Sequence, residues 1–232
     1  MAKTKSVYFC NNCGAESPKW IGRCPVCGEW NTYVEEVVST KSAAGGRGEF
    51  GTMEQSKVRP QRIDDIQITE ESRIDLGNGE LNRVLGGGLV RGSLVLIGGE
   101  PGIGKSTLIL QTVLALKGQK VLYVSGEESA RQLKLRAERI GGNAPDCYIV
   151  CETSLEDIFV HIRNVDPDIV VIDSIQTIAT SAMESSPGSV GQVRECAASL
   201  LKFAKQTNTP VLLVGHINKE GSIAGPKVLE HI

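Results

Sequence analysis

Between Ser93 and His216 the sequence repeatedly switches period. Five short apolar runs stand out: "SLVLIGG" (93–99), "KVLYVSG" (120–126), "CYIVC" (147–151), "DIVVIDS" (168–174) and "PVLLVGH" (210–216). Between them lie stretches with apolar residues at helical spacing, which predict helices over 105–117, 129–140, 154–165 and 190–206. A strand that is apolar throughout must be covered on both faces. Such strands alternating with helices predict βαβ units and a mainly parallel sheet, an α/β fold. No internal repeat is visible.

The first strand-to-helix junction is nearly devoid of side chain. "GGEPGIGKST" (98–107) contains G-x-x-x-x-G-K-[ST] from Gly99 to Ser106, in the strand–loop–helix context that the phosphate-binding loop requires. Glycines let backbone N–H groups close around phosphate oxygens, and the helix N-terminus adds a favourable field. The nucleotide-contacting set expected here is Gly99, Glu100, Pro101, Gly102, Ile103, Gly104, Lys105, Ser106 and Thr107. Lys105 would reach the β- and γ-phosphates of ATP, and Ser106 would give an oxygen to Mg²⁺.

Two further acidic positions belong with this loop. Asp173 ends the strand "DIVVIDS", at the edge of an open α/β sheet where ligands collect, and is expected to hold Mg²⁺ directly or through water. Glu127 and Glu128 follow the strand "KVLYVSG". Read from the residues alone, they divide between a group that orients the attacking water and acids favoured at a helix start.

Seven cysteines fall into two sets. "CNNCGAESPKWIGRCPVCG" is C-x₂-C-x₁₀-C-x₂-C, placing Cys10, Cys13, Cys24 and Cys27 as two knuckles, each followed by glycine. Four thiolates match a closed, tetrahedral, structural Zn²⁺ site, and so small a module has no core without its metal. Redox-active pairs and an iron–sulfur cluster are the alternatives. Lys19, Trp20, Arg23 and Trp30 offer cations and flat rings that suit nucleic acid, and packing around the metal explains the tryptophans equally well. Cys147, Cys151 and Cys196 lie in apolar segments and read as packing thiols, with no disulfide expected. Arg131, Lys134, Arg136, Glu138 and Arg139 read as a solvated helix face.

The organisation expected is therefore a zinc ribbon over 1–34, a flexible tether over 35–62 and an ATPase core over 63–232 that is incomplete at its C-terminal side. The tether, "EVVSTKSAAGGRGEFGTMEQSKVRP", is too polar and glycine-rich to bury much surface. A net charge of −2 argues neither for nor against nucleic acid. No apolar leader and no run of membrane-spanning length is present, so a cytoplasmic protein without membrane association is expected.

With the zinc ribbon, "LGGGLVRGSLVLIGGEPGIGKSTL", "YVSGEES", "VVIDSIQT", "SSPGSVGQVRE" and "GHINKEGSIAGPKVLEH" in this order, the sequence resembles the bacterial RadA (Sms) family of DNA repair proteins across almost its whole length. The phosphate loop alone is widely shared; the ribbon joined to the last two motifs is specific. The resemblance implies a RecA-like P-loop ATPase core preceded by a small zinc ribbon. It implies a DNA-dependent, helicase-like ATP hydrolase that drives branch migration in recombinational repair. Single-stranded or branched DNA, a RecA-type recombinase and a hexameric ring of like subunits would be its partners.

Residue by residue, the resemblance gives Lys105 and Ser106 the nucleotide and Mg²⁺ roles, Asp173 the second acidic role and Glu127 the water-activating role. It makes 180–192 the first DNA-contacting loop, although that loop has no Lys or Arg before Arg194. It makes 217–227 the second, with Lys219 and Lys227 as phosphate contacts, and His216 the sensor of the γ-phosphate. The family's Lys-Asn-Arg-Phe-Gly motif and Lon-protease-like domain are not in these residues. A KaiC-like ATP-driven ring switch that signals to protein partners shares much of the core, but lacks the zinc ribbon.

Overall fold

The computed structural model describes residues 4–10, 14–39, 62, 64, 73–141 and 146–216. At the N-terminus, β1 (Thr4–Cys10), β2 (Glu16–Ser17) and β3 (Tyr33–Ser39) form an antiparallel sheet in the order β2–β1–β3, with Cys10 opposite Tyr33. Cys10, Cys24 and Tyr33 are its buried centre, with Tyr8, Ala15, Ile21 and Cys27 packed against them. β3 runs on to Ser39, and residues 40–61 of the glycine-bearing stretch lie outside the described residues.

From Arg73 onward, the chain forms α1 (Gly79–Val84), β4 (Leu94–Gly99), α2 (Lys105–Ala115), β5 (Val121–Ser125), α3 (Ala130–Ile140), β6 (Cys147–Cys151), α4 (Leu155–Val165), β7 (Ile169–Asp173), α5 (Val190–Thr207) and β8 (Val211–His216). The five strands β4 to β8 make one parallel sheet in the order β4–β8–β7–β5–β6. Every strand and helix read from the sequence in this region is present. The short α1 was not anticipated: six residues are too few to show a period, and Asn78, which accepts from the Glu80 and Leu81 N–H groups, is the cap that starts it.

Alternate residues of each strand feed two separate cores. Leu122, Val124, Val170, Ile172, Val211 and Leu213 pack beneath α4 and α5. Val121, Tyr123, Ile169, Val171, Leu212 and Val214 pack beneath α2 and α3 on the other face. β5 and β7 are buried throughout, and β4 and β6 form the half-exposed edges. Position at an edge explains Cys151: it is exposed, contrary to its reading as a packing thiol, and its Sγ donates to the Glu128 carbonyl at 3.3 Å. Cys196 lies in the core as expected, and burial pushes its thiol up to about 12.

Because all five strands run the same way, their carboxyl ends share one rim. Gly99, Ser125, Asp173 and His216 close their strands there, and the loops that follow them build the site.

Candidate nucleotide site and metal centre

The glycine loop joins β4 to α2 with Gly102 at φ 80° and Gly104 at φ 101°. A Cβ at either position would meet nothing within 4 Å, so conformation, not space, asks for glycine there. The cap of α2 differs from those of its neighbours. Asn78, Ser129, Ser154 and Ser189 each cap their helices through a side chain, while Gly104 provides no side-chain hydrogen bond to α2. Among the described residues, no side chain caps the first turn of α2, a state that suits an anion. Lys105 is buried, and its Nζ donates to the carbonyls of Gly99 and Glu100, each at 2.8 Å. These bonds use two of the three ammonium donors and hold the third at the loop.

Beside the loop, Ser106 Oγ donates to Asp173 Oδ1 at 3.0 Å. The other carboxylate oxygen accepts from Tyr123 OH at 2.5 Å. Tyr123 is fully buried on β5; burial, and then the charge and hydrogen bond of Asp173, drive its phenol far above the ordinary value. It is therefore a permanent donor, and it fixes one oxygen of Asp173 while the other stays on the loop side. The pairing of a hydroxyl with a carboxylate at the end of a buried strand is a donor set that suits Mg²⁺.

The two adjacent acids part ways. Helix α3 begins at Ala130, with Ser129 as cap and Gln132 closing a capping box, so neither Glu127 nor Glu128 lies in its first turn. Glu128 pairs with Arg136, Nη2 to Oε1 at 2.5 Å, with each side chain only about a quarter exposed; Arg136 is thus tied to the rim and is not part of a merely solvated face. Glu127 instead accepts from Ser174 Oγ at 2.7 Å and meets His216 Nε2 at 3.3 Å, both through Oε1. Burial pushes the Glu127 carboxyl upward, but Ser174, His216 and the charge of Lys105 outweigh it and hold the group below its ordinary value. Gly126 permits this approach: a Cβ there would sit 1.9 Å from Thr177 Oγ1. Thr177 is itself bonded to the Ser174 carbonyl at 2.7 Å.

The cysteine knuckles repeat one another. Gly14 N–H donates to Cys10 O and Gly28 N–H to Cys24 O, at 2.7 and 2.9 Å. The Cys10 and Cys24 N–H groups donate five residues ahead, to Ala15 and Glu29. The Sγ atoms of Cys10, Cys24 and Cys27 lie within 4.8 Å of one another, and Cys10 Sγ to Cys27 Sγ is 3.7 Å. A tetrahedral ion with bonds of about 2.3 Å separates its sulfur ligands by about 3.8 Å, so these thiols fit Zn²⁺ and are far too distant for a disulfide. Cys13 lies outside the described residues.

Residues 57–222 match the family described as an AAA domain, which is most of the chain. The chain belongs to the AAA domain family. A second match, to the rubredoxin metal binding domain, covers residues 8–35 and contains both knuckles. Over its whole length the chain is 54% identical to the DNA repair protein RadA of Bacillus subtilis (strain 168). It is 49% identical to that of Halalkalibacterium halodurans and 48% identical to that of Pseudomonas aeruginosa. It spans about half the length of these curated relatives, 51% of each. Among the described residues of the AAA domain and the ribbon, no helix is long and apolar enough to cross a membrane.

Within the AAA domain, sequence reasoning missed Tyr123 and Ser174, the residues that orient Asp173 and Glu127. The signal was faint: a tyrosine in an otherwise apolar strand, and a serine directly after the strand-end aspartate. It also missed how firmly the 180–192 loop of the AAA domain is held. The buried Gln192 donates from Nε2 to the carbonyls of Thr180, Met183 and Ser185, and accepts from Thr180 N–H. Glu156 on α4 accepts from the Thr180 hydroxyl and from both the N–H and hydroxyl of Ser181. The loop is thus anchored from two helices, α4 through Glu156 and α5 through Gln192. The 217–227 segment, with Lys219 and Lys227, lies outside the described residues.

Proposed function

We propose that the chain binds Mg²⁺–ATP at Gly99–Thr107, hydrolyses it, and uses the cycle to act on DNA in recombinational repair. The reading rests above all on one observation: Lys105, the Ser106–Asp173 pair, Glu127 and His216 meet at the carboxyl rim of a parallel sheet. A Mg²⁺ ion held beside the loop would supply positive charge that neutralises the charge developing on the phosphates. Lys105 turns its remaining donor to the phosphates, and the uncapped N–H groups of α2 receive their oxygens. Ser106 and Asp173 would hold that ion.

Glu127 is the water-orienting base in this reading. Its hydrogen bonds among the described residues fall on Oε1, which leaves Oε2 to accept from a water. The water's proton passes to Oε2 as its oxygen bonds to the γ-phosphorus and the bond to the β-phosphate oxygen breaks. His216, in contact with Glu127 and one residue before 217–227, senses the γ-phosphate and passes its presence to that segment. The anchored 180–192 loop and 217–227 engage single-stranded or branched DNA. The relatives named above support a role in DNA repair; branch migration as the task, a RecA-type recombinase as partner, a hexameric ring and a cytoplasmic setting are carried into this proposal from the sequence resemblance alone. The two family matches, over 8–35 and 57–222, fit a ribbon and a core joined by a tether, and the proposal puts Zn²⁺ on Cys10, Cys13, Cys24 and Cys27.

The test is fluorescence anisotropy of labelled single-stranded DNA across a salt series, with ADP and with a non-hydrolysable ATP analogue. Tighter, salt-sensitive binding with the analogue is the expected result. Binding that ignores the nucleotide would contradict the coupling, and no binding in either nucleotide state would favour an ATP-driven switch acting on protein partners.

A further inference from the structure

The ribbon places its two largest apolar side chains outside its own core. Trp20 is 53% exposed and Trp30 is 67% exposed, and neither belongs to the cluster around Cys10, Cys24 and Tyr33. The packing explanation for the tryptophans is thereby removed. The two rings are neighbours: a Cβ on Gly22 would lie 3.6 Å from Trp20 Cη2 and 4.0 Å from Trp30 Cζ3.

Their surroundings are held in place. Arg23 and Trp30 face each other across an antiparallel bridge, and Asn31 N–H donates to Gly22 O at 2.8 Å. The Arg23 guanidinium stacks 5.6 Å from the Trp30 ring centre while its Nε donates to Gly28 O at 2.9 Å. Ser17 Oγ donates to Lys19 O and accepts from Lys19 N–H, fixing the turn that presents the exposed Lys19 beside Trp20. Two exposed rings and two cations thus share one surface built on the metal knuckles.

We propose that this surface is a separate single-stranded DNA site, in which unpaired bases stack on Trp20 and Trp30 while Lys19 and Arg23 meet the flanking phosphates. The proposal deepens the DNA reading given above and rests on it for the choice of DNA as the strand. Charge complementarity favours a phosphate-bearing occupant, and exposed indole faces favour bases that are not already stacked in a duplex. With only two cations, the salt dependence should be shallow. For single strands, log affinity falls by about 0.7 per phosphate neutralised, giving a slope of about −1.4.

The chain has two tryptophans, both on this surface, so its indole emission reports on this site alone. The experiment titrates the whole chain with oligothymidylate and follows indole emission and the anisotropy of the labelled strand in the same samples, with and without the ATP analogue. Saturable quenching that tracks binding is expected. In Trp20→Ala or Trp30→Ala the quench-reported affinity should fall by about five- to a hundredfold, with Trp30→Phe close to the parent. Zinc content of each variant confirms an intact ribbon. Anisotropy that rises with unchanged emission overturns the proposal and leaves the nucleotide-coupled DNA reading standing. Quenching that persists without any nucleotide effect on anisotropy supports the ribbon site and removes that coupled reading. No response in either signal overturns the ribbon site outright.

Discussion

Glu127 owes its identity as the candidate base to three neighbours and not to its own position in the sequence. Ser174, His216 and Lys105 keep its carboxyl below the ordinary range despite partial burial. A depressed value means that the carboxylate persists as pH falls through the range where an ordinary Glu protonates, and is lost only below it. Removing His216 takes away both a hydrogen bond and a nearby charge, so the Glu127 value rises. The acid limb of the turnover-against-pH profile should therefore move to higher pH in His216→Ala, and an unchanged limb would show that His216 does not tune Glu127. Tyr123 makes an independent test. Tyr123→Phe leaves the buried Asp173 Oδ2 without its donor, at a cost of about 1–3 kcal/mol, and loosens the carboxylate paired with Ser106. The variant should need several-fold more Mg²⁺ for half-maximal turnover. The same Mg²⁺ requirement as the parent would place Tyr123 outside the site's support.

Elements rather than single residues hold the 180–192 loop. Gln192, in the first turn of α5, and Glu156, in the first turn of α4, reach the same few residues from two helices. Gln192→Ala would strand a buried N–H and several carbonyls. A loss of about 2–3 kcal/mol follows, seen as a fall of roughly 4–12 °C in melting temperature for a domain of this size, with new proteolysis between Thr180 and Ser189. An unchanged melting temperature would mean that the loop is held otherwise. At this scale the sequence was largely legible. The change from continuous apolar runs to helical spacing located all five strands and four long helices, because each long helix needs an apolar stripe and each strand of a sheet covered on both faces a continuous apolar run. The clamp was not legible, since a glutamine at a helix start gives no sign of burial until the chain has folded over it. The same holds for Glu127 against Glu128, which differ only in the partners that the fold brings to them.

Across the whole molecule, function follows from direction. Five strands running in parallel put Gly99, Ser125, Asp173 and His216 at one rim, so residues separated by more than a hundred positions converge without any being adjacent in sequence. The phosphate loop and the Asp173 position were readable because each lies at a strand end, the one place where a parallel sheet offers backbone and side chain to a ligand. The ribbon is a second centre with its own small core and its own thiol cluster. In the proposed mechanism this rim hydrolyses ATP with Glu127 as base. That mechanism is tested most directly by measuring phosphate release from Mg²⁺–ATP alongside nucleotide affinity, in the parent chain and in Glu127→Gln. The expected result is measurable release by the parent, a loss of about a hundredfold or more in the variant, and nearly equal affinity in both. Equal release by the two proteins would contradict it.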